Sequence, residues 1–452
     1  MLKVWNMSLV LATGTLAIMG TFLVRSGILS SIHAFGGATL GVPFVALIGV
    51  LVTGSVYLVV SRAKLLRSEH RLEALLSRES IFLANNLVLV GLCFVIFWGT
   101  YFPLISEALS GHERSVGPPW FDRYTVPLAL ALVLLSGIGP VIAWRRATLA
   151  NARRNFTAPV LLALATLAAL LAVGAQRKPL ALAMFACAAF VVGSIAQEFF
   201  RGTRARRAIA RERVPIALLA LVRRNRRRYG GYVVHVGMAV LFVGVAASSS
   251  FQHAAELALF PGQSTRVGGY TIRYVRPTAT ITPRQDAAHT GSTLSLGAVL
   301  DVSKRGRHVA TLRPSEGYYD SGEAAQGTVG HLIGGQAVSH ISMSAGLTRD
   351  VWTAIAPNIS SSPLRRIVTA GNRTLPPDQA LVAIAYLARS YLSKPAAAQF
   401  HFIVSPLVMW IWIGGVIVFG GGLIAIWPAP STVRRAERAR SPARAAGELA
   451  QA

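Results

Sequence analysis

Eight apolar runs, each about as long as a bilayer is thick, limit what this chain can become. They occupy residues 7–24, 38–61, 82–108, 125–143, 157–174, 179–199, 231–250 and 404–427. An α-helix rises 1.5 Å per residue, so roughly 20 apolar residues cross a hydrocarbon core of about 30 Å. Composition supports the same reading. The chain of 452 residues is 53% hydrophobic and only 14% charged, whereas soluble domains carry about 25% charged residues. Soluble enzyme classes are thereby excluded. Disorder is excluded too, because disordered chains are poor in apolar residues. The expected fold class is an all-α polytopic membrane protein of about eight transmembrane helices with an extracytoplasmic, β-rich insert domain.

The formal charge of +27 and a pI near 11.4 would ordinarily raise nucleic acid as a partner. The placement of the charges argues otherwise. Loops 62–81, 144–156, 200–230 and 428–452 hold five, four, eleven and five Arg/Lys. The short opposite loops hold one (Arg25), two (Arg114, Arg123) and two (Arg177, Lys178). The positive-inside rule then places both termini in the cytoplasm of a cell-membrane protein. The basic face suits anionic lipid, and no nucleic acid is expected.

Three regions separate along the sequence. Residues 1–250 carry seven spans, residues 251–403 form a soluble insert on the outer side, and 404–427 are the last span, followed by a basic tail at 428–452 expected to be disordered. In the insert, residues 269–275 and 293–300 alternate apolar with polar, the strand signature, and Lys304-Arg305-Gly306-Arg307 reads as a hairpin turn. Residues 380–392 have helical spacing. In the basic loop, the apolar stretch 214–222 lies between arginines. It is too short to span, and reads either as an interfacial helix or as part of a topogenic charge cluster.

Ionisable groups inside a bilayer are costly and are functional candidates by default. His235 lies a short way into the seventh span. It is either a neutral histidine bonded to a neighbouring helix or an axial ligand of haem iron. Gly230, Gly231 and Gly237 leave room beside it for something flat and bulky. His33 follows the outer end of the first span, where an interfacial loop histidine is ordinary and ligation is the alternative. Arg25, a cation at an outer boundary otherwise poor in them, either snorkels to lipid phosphate or meets the propionates of a tetrapyrrole. The depths of His33 and His235 differ by roughly 20 Å in a core of about 30 Å, so they cannot ligate one iron and would need two sites. Each site would then need a second ligand from elsewhere.

Other chemistry finds little support. The two cysteines, Cys93 and Cys187, both fall within spans, and no CxxC exists. No HExxH, P-loop, Ser-His-Asp order or paired intramembrane carboxylate appears. His70, His112, His253, His289, His308, His331, His340 and His401 read as surface residues. Trp120 and Phe121, within 115–121 (SVGPPWF), read as part of a rigid outer turn, and the Trp-rich segment 409–415 (MWIWIGG) reads as an interfacial anchor.

Four segments in order, 20–35 (GTFLVRSGILSSIHAF), 115–121, 226–237 (RRRYGGYVVHVG) and 409–415, resemble CcmF, the haem lyase subunit of the cytochrome c maturation system. The resemblance implies that haem delivered by the chaperone CcmE is held in an external pocket and joined through thioethers to the CxxCH of apocytochrome c. It also implies a separate haem b within the membrane, supplying reducing equivalents. By position, His33 resembles an axial ligand of the external haem and His235 an axial ligand of the membrane haem b, with Arg25 near a propionate. CcmH/CcmI-type subunits are further implied partners.

The sequence departs from that pattern in one respect. Family members carry a tryptophan-rich WWD segment and two partner histidines upstream of the segment matching 20–35, and no Trp-Trp-Asp run occurs here. The resemblance therefore implies the C-terminal part of CcmF, separately encoded or truncated. Such a part is expected to hold half of each haem site and to be inactive as a haem lyase without an N-terminal CcmF part. Two rivals remain: a haem transporter, against which the scarcity of mid-membrane ionisable residues counts, and a non-catalytic assembly scaffold.

Overall fold

The computed structural model describes residues 3–26, 28, 40–66, 77–142, 148–286, 289–319, 337–358 and 377–428. Eight helices among them are long and apolar enough to cross a membrane. These are α1 (Lys3–Arg25), α2 (Gly41–Ser61), α3 (Arg78–Ser110), α4 (Pro118–Ile138), α5 (Leu149–Ala172), α6 (Pro179–Ala210), α8 (Arg226–Ser250) and α10 (Val408–Ile426). The short α7 (Val214–Arg224) joins α6 to α8, and α9 (Pro377–Ser393) belongs to the β domain. The chain is a polytopic membrane protein with a β-rich insert, and it divides into two compact units, residues 1–155 and 156–452.

In the first unit α1 pairs with α2 and α3 with α4. Pro118 and Pro119 occupy the first turn of α4, where a proline costs no hydrogen bond and presets φ. The expected outer turn at 115–121 is thus partly helix: Trp120 and Phe121 are helical, and Phe121 packs onto Gly99 of α3 so closely that a Cβ there would lie 2.4 Å from its ring.

The second unit is organised by α8 and α10. Gly230, Gly237 and Gly244 recur every seven residues on one face of α8, and Gly414 and Gly421 do the same on α10. A Cβ built on Gly230 would lie 2.6 Å from the Ala425 amide nitrogen, on Gly237 2.7 Å from that of Val418, and on Gly244 2.8 Å from that of Ile411. The reverse holds as well: a Cβ on Gly414 would meet the Leu241 nitrogen at 2.6 Å, and on Gly421 that of Val234 at 2.7 Å. As residue numbers rise on α8 their partners fall on α10, so the helices run antiparallel with backbones in direct contact. Without a hydrophobic driving force inside lipid, this close approach is what small residues provide. On another face of α8, α6 packs through Phe199, whose ring lies 5.0 Å from that of Tyr229 and 6.2 Å from that of Tyr232.

The β domain lies between α8 and α10 in the sequence. One sheet has the order β1 (His253–Leu259), β10 (Ala398–Pro406), β9 (Arg349–Ala356), β8 (Ser342–Ser344). The other runs β2 (Ser264–Val267), β3 (Tyr270–Asp286), β4 (His289–Lys304), β6 (Ser315–Tyr318), β7 (Ala337–His340), with β5 (Arg307–Leu312) also paired to β4. The expected strands at 269–275 and 293–300 fall in β3 and β4. The turn joining β4 to β5 has Arg305 and Gly306 at φ 51° and 78°, the left-handed pair of a tight hairpin. Ile272, Tyr274, Leu300 and Val302 from the second sheet meet Phe400, Phe402 and Val404 from the first in one core. The helical spacing at 380–392 becomes α9, whose Ile384, Leu387, Ala388 and Tyr391 cover Leu294, Leu296 and Tyr318. The Tyr391 hydroxyl donates to the Gly297 carbonyl at 3.1 Å.

β10 runs on to Pro406, and α10 follows after Leu407, whose φ is 57°. The Leu407 amide donates to the Thr348 carbonyl at 3.1 Å, and Trp410 Nε1 donates to the Leu347 carbonyl at 3.1 Å. Trp410 thus fastens the span to the β domain.

Two outcomes follow. Gly237→Ala should destabilise the chain by about 2 kcal/mol through overpacking against α10, whereas Gly231→Ala, with open space around its Cβ, should stabilise it by up to about 1 kcal/mol; denaturant unfolding in detergent measures both. In the β domain, burial holds the Glu316 carboxyl above its ordinary range, partly offset by the Tyr318 hydroxyl. Folded protein then keeps a proton that unfolded chain loses from about pH 4.3, so stability should fall as pH rises from there through the folded value. Glu316→Gln should remove that part of the pH dependence in thermal unfolding.

Candidate functional site

α8 begins at Arg226, five residues before the start expected from hydropathy, because its arginines and Tyr229 are helical as well. Advancing 100° per residue, positions 230, 234, 237, 241 and 244 form the α10 face, and Gly231, His235, Met238 and Phe242 form a separate stripe. Gly231 has nothing within 4 Å of a built Cβ, and His235 is half-buried. This corrects the expectation that three glycines leave room beside His235. Gly230 and Gly237 are filled by the α10 backbone, and Gly231 alone, one turn from His235 on the same stripe, leaves space.

One turn toward the arginine-bearing end lies a polar network that sequence reasoning missed. Arg228 Nη2 donates to Glu198 Oε2 at 2.6 Å, and Arg228 Nε donates to the Tyr232 hydroxyl at 2.7 Å. That hydroxyl lies 3.4 Å from the same carboxylate. Arg201 reaches the other carboxylate oxygen at 3.9 Å. The Glu198 side chain is 14% exposed, so its charge needs these partners. Phe199 and Tyr229 pack beside them with ring centroids 5.0 Å apart, and the Arg228 guanidinium lies 5.5 Å from the Tyr232 ring centroid. His235 follows Tyr232 by three residues, about 4.5 Å along the helix. The network thus fixes the α6–α8 packing just below the imidazole. Glu198 is the only carboxylate in α6, which was the available signal.

Arg25 is the exposed last residue of α1, where a cation suits the helix C-terminus. His33 lies outside the described residues. His235 is the only histidine in the described membrane helices of the second unit, and no cluster of three or more His, Cys, Asp or Glu that could hold a metal ion occurs among the described residues. The stretch 214–222 is helix: α7 buries Ala217 and sets Leu221 against Gly202 of α6 while exposing Val214, Ile216 and Leu219. The preceding turn is held by Arg211 in the left-handed region and by the Arg206 pair with Glu212 at 2.8 and 2.9 Å.

A membrane protein with eight candidate spans among its described residues, a two-sheet β insert between α8 and α10, and an imidazole on a membrane helix beside an ion-paired helix junction defines a class. Comparison with known proteins narrows it. No family model matches the sequence. The chain is 30% identical over 456 residues to the cytochrome c-type biogenesis protein CcmF of Pseudomonas aeruginosa, covering 99% of this chain and 58% of that protein. It is 26% identical over 426 residues to CcmF of Haemophilus influenzae (94% and 56%) and 25% over 433 residues to CcmF of Escherichia coli (94% and 55%). A solved structure of the cytochrome c heme lyase CcmF superposes with a TM-score of 0.58 at 20% identity, covering 94% of this chain and 55% of that one. That likeness shows a shared fold. Along nearly its whole length this chain is a homologue of the CcmF cytochrome c-type biogenesis proteins, and it spans a little over half the length of the curated relatives it matches.

Glu198→Ala should unfasten the α6–α8 junction, costing about 1 kcal/mol because Arg228 is half exposed and can resolvate. Unfolding in detergent measures the loss, and Arg228→Ala together with Glu198→Ala should cost less than the two singles added.

Proposed function

We propose that this chain is the C-terminal part of a cytochrome c haem lyase, with His235 an axial ligand of a membrane haem b. The observation carrying this reading is the position of His235, half-buried within a membrane helix beside the open Gly231, in a chain similar to proteins named for cytochrome c biogenesis. The donor chemistry fits. A neutral imidazole is a common protein ligand of haem iron, and the open flank at Gly231 admits a flat macrocycle against the helix. The glycine contact with α10 and the Glu198–Arg228–Tyr232 network hold the helix that presents the imidazole. When bound, the haem supplies electron transfer; the chain supplies ligation, orientation and exclusion of water. The second axial ligand comes from a companion polypeptide, the N-terminal CcmF part carrying the WWD segment.

In this reading the β domain faces outside and both termini lie in the cytoplasm, in line with the arginine distribution. His33 ligates the external haem and Arg25 meets its propionate. The haem comes from CcmE, the acceptor is the CxxCH of apocytochrome c, and CcmH/CcmI-type subunits complete the assembly.

The test is the absorption spectrum of the chain co-purified with its companion. A Soret band is expected, and His235→Ala should remove the membrane haem's share of it, with partial recovery on adding free imidazole. Full Soret absorbance in His235→Ala would reject the ligand assignment. A colourless wild-type complex would favour a non-catalytic scaffold.

A further inference from the structure

We propose that the arginine-lined hollow where α7, the start of α8 and the end of α10 meet is a binding site for an anionic phospholipid. Two adjoining cavities form it. One, of about 600 Å³, has Arg224, Arg226, Arg227 and Arg228 around it, with Ile426 and Trp427. The other, of about 360 Å³, lies between Leu219 and Val222 of α7 and Leu423 and Ile424 of α10. Arg226 and Trp427 line both, so a polar compartment opens onto an apolar one, as a headgroup joins its acyl chains.

The charge balance favours an anion. Arg228 is engaged by Glu198 at 2.6 Å, and Arg226 donates to the Pro428 carbonyl at 3.1 Å. Arg223, Arg224 and Arg227 are exposed, and their side chains form no hydrogen bond or ion pair with any described residue. The sequence holds no Asp or Glu between Glu212 and Glu256, so none follows along the chain to neutralise them. Guanidinium groups bind phosphate oxygens bidentately. The hollow sits where two spans end, at headgroup depth, and Trp427 is the kind of residue that marks this level. The apolar compartment selects a lipid over a free phosphate, because Leu219, 61% exposed, and Leu423, 42% exposed, would gain cover only from an acyl chain. This site is independent of His235 and of the haem assignment.

The experiment uses the full chain in detergent, equilibrated with equimolar dioleoyl phosphatidylglycerol and dioleoyl phosphatidylcholine and read by native mass spectrometry. Phosphatidylglycerol should be retained at one per chain with a preference of fivefold or more, since each surface arginine is worth about fivefold toward anionic lipid. The double variant Arg224→Gln with Arg227→Gln should cut the preference fivefold or more. Arg224→Lys with Arg227→Lys should keep most of it, which separates charge from misfolding. Equal retention of the two lipids by the wild type, or a preference unchanged in the glutamine variant, overturns the proposal. Displacement of the lipid by millimolar inorganic phosphate also overturns it, since the hollow would then be a simple anion site.

Discussion

The close approach of α8 and α10 is the constraint on which the rest of the second unit depends. Five glycines at heptad spacing let two helix backbones touch, and no larger residue fits at those positions without pushing them apart. The contact sets the spin of α8 about its own axis. With Gly230, Gly237 and Gly244 turned to α10, and Tyr229 and Tyr232 packed against Phe199 of α6, His235 and Gly231 lie on a separate stripe. The imidazole's direction therefore follows from where the glycines are, and the Glu198–Arg228–Tyr232 network only adds stiffness one turn away.

The same pair of helices holds the β domain at both of its ends. β1 follows α8 after two residues and pairs with β10, which runs into α10. The Leu407 and Trp410 bonds to Thr348 and Leu347 tie that joint to the loop before β9. A domain fastened at two adjacent points resists swinging more than one hung from a single linker. Its core of Ile272, Tyr274, Phe400 and Phe402 is that of an ordinary sandwich, with α9 closing the part of the second sheet that the first does not cover.

Much of this was legible in the sequence. The eight spans were, because twenty apolar residues leave a chain few alternatives; so were the strands at 269–275 and 293–300, the turn at Arg305-Gly306 and the helix at 380–392, because each obeys a local period or turn chemistry. What escaped reading was long-range. Gly230 and Gly237 looked like space because a glycine in sequence does not reveal whether a ligand or another helix fills the missing side chain. Glu198 was overlooked because its partner Arg228 lies 30 residues along, at the end of a different helix. The helical starts at Pro118 and Arg226 were hidden by hydropathy, which registers apolar content and is blind to prolines and arginines that are acceptable in a first turn. His33, one of the two histidines singled out, lies outside the described residues, so only His235 has a structural setting.

The contact between Arg226 and Pro428 joins residues 202 positions apart, and this carries a consequence for biosynthesis. α8 leaves the ribosome long before α10 exists; at about 5–20 residues per second the delay is on the order of 10–40 s. Through that interval the glycine groove of α8 is lined by lipid or by an insertion factor, and β1 waits without its neighbour, since β10 is the last of the described strands to be made. Arrival of β10 and of α10 is then one late event, which closes the first sheet and the helix pair together. A nascent chain halted before that point would hold the first sheet without its central pairing strand, joined to the membrane helices through α8 alone.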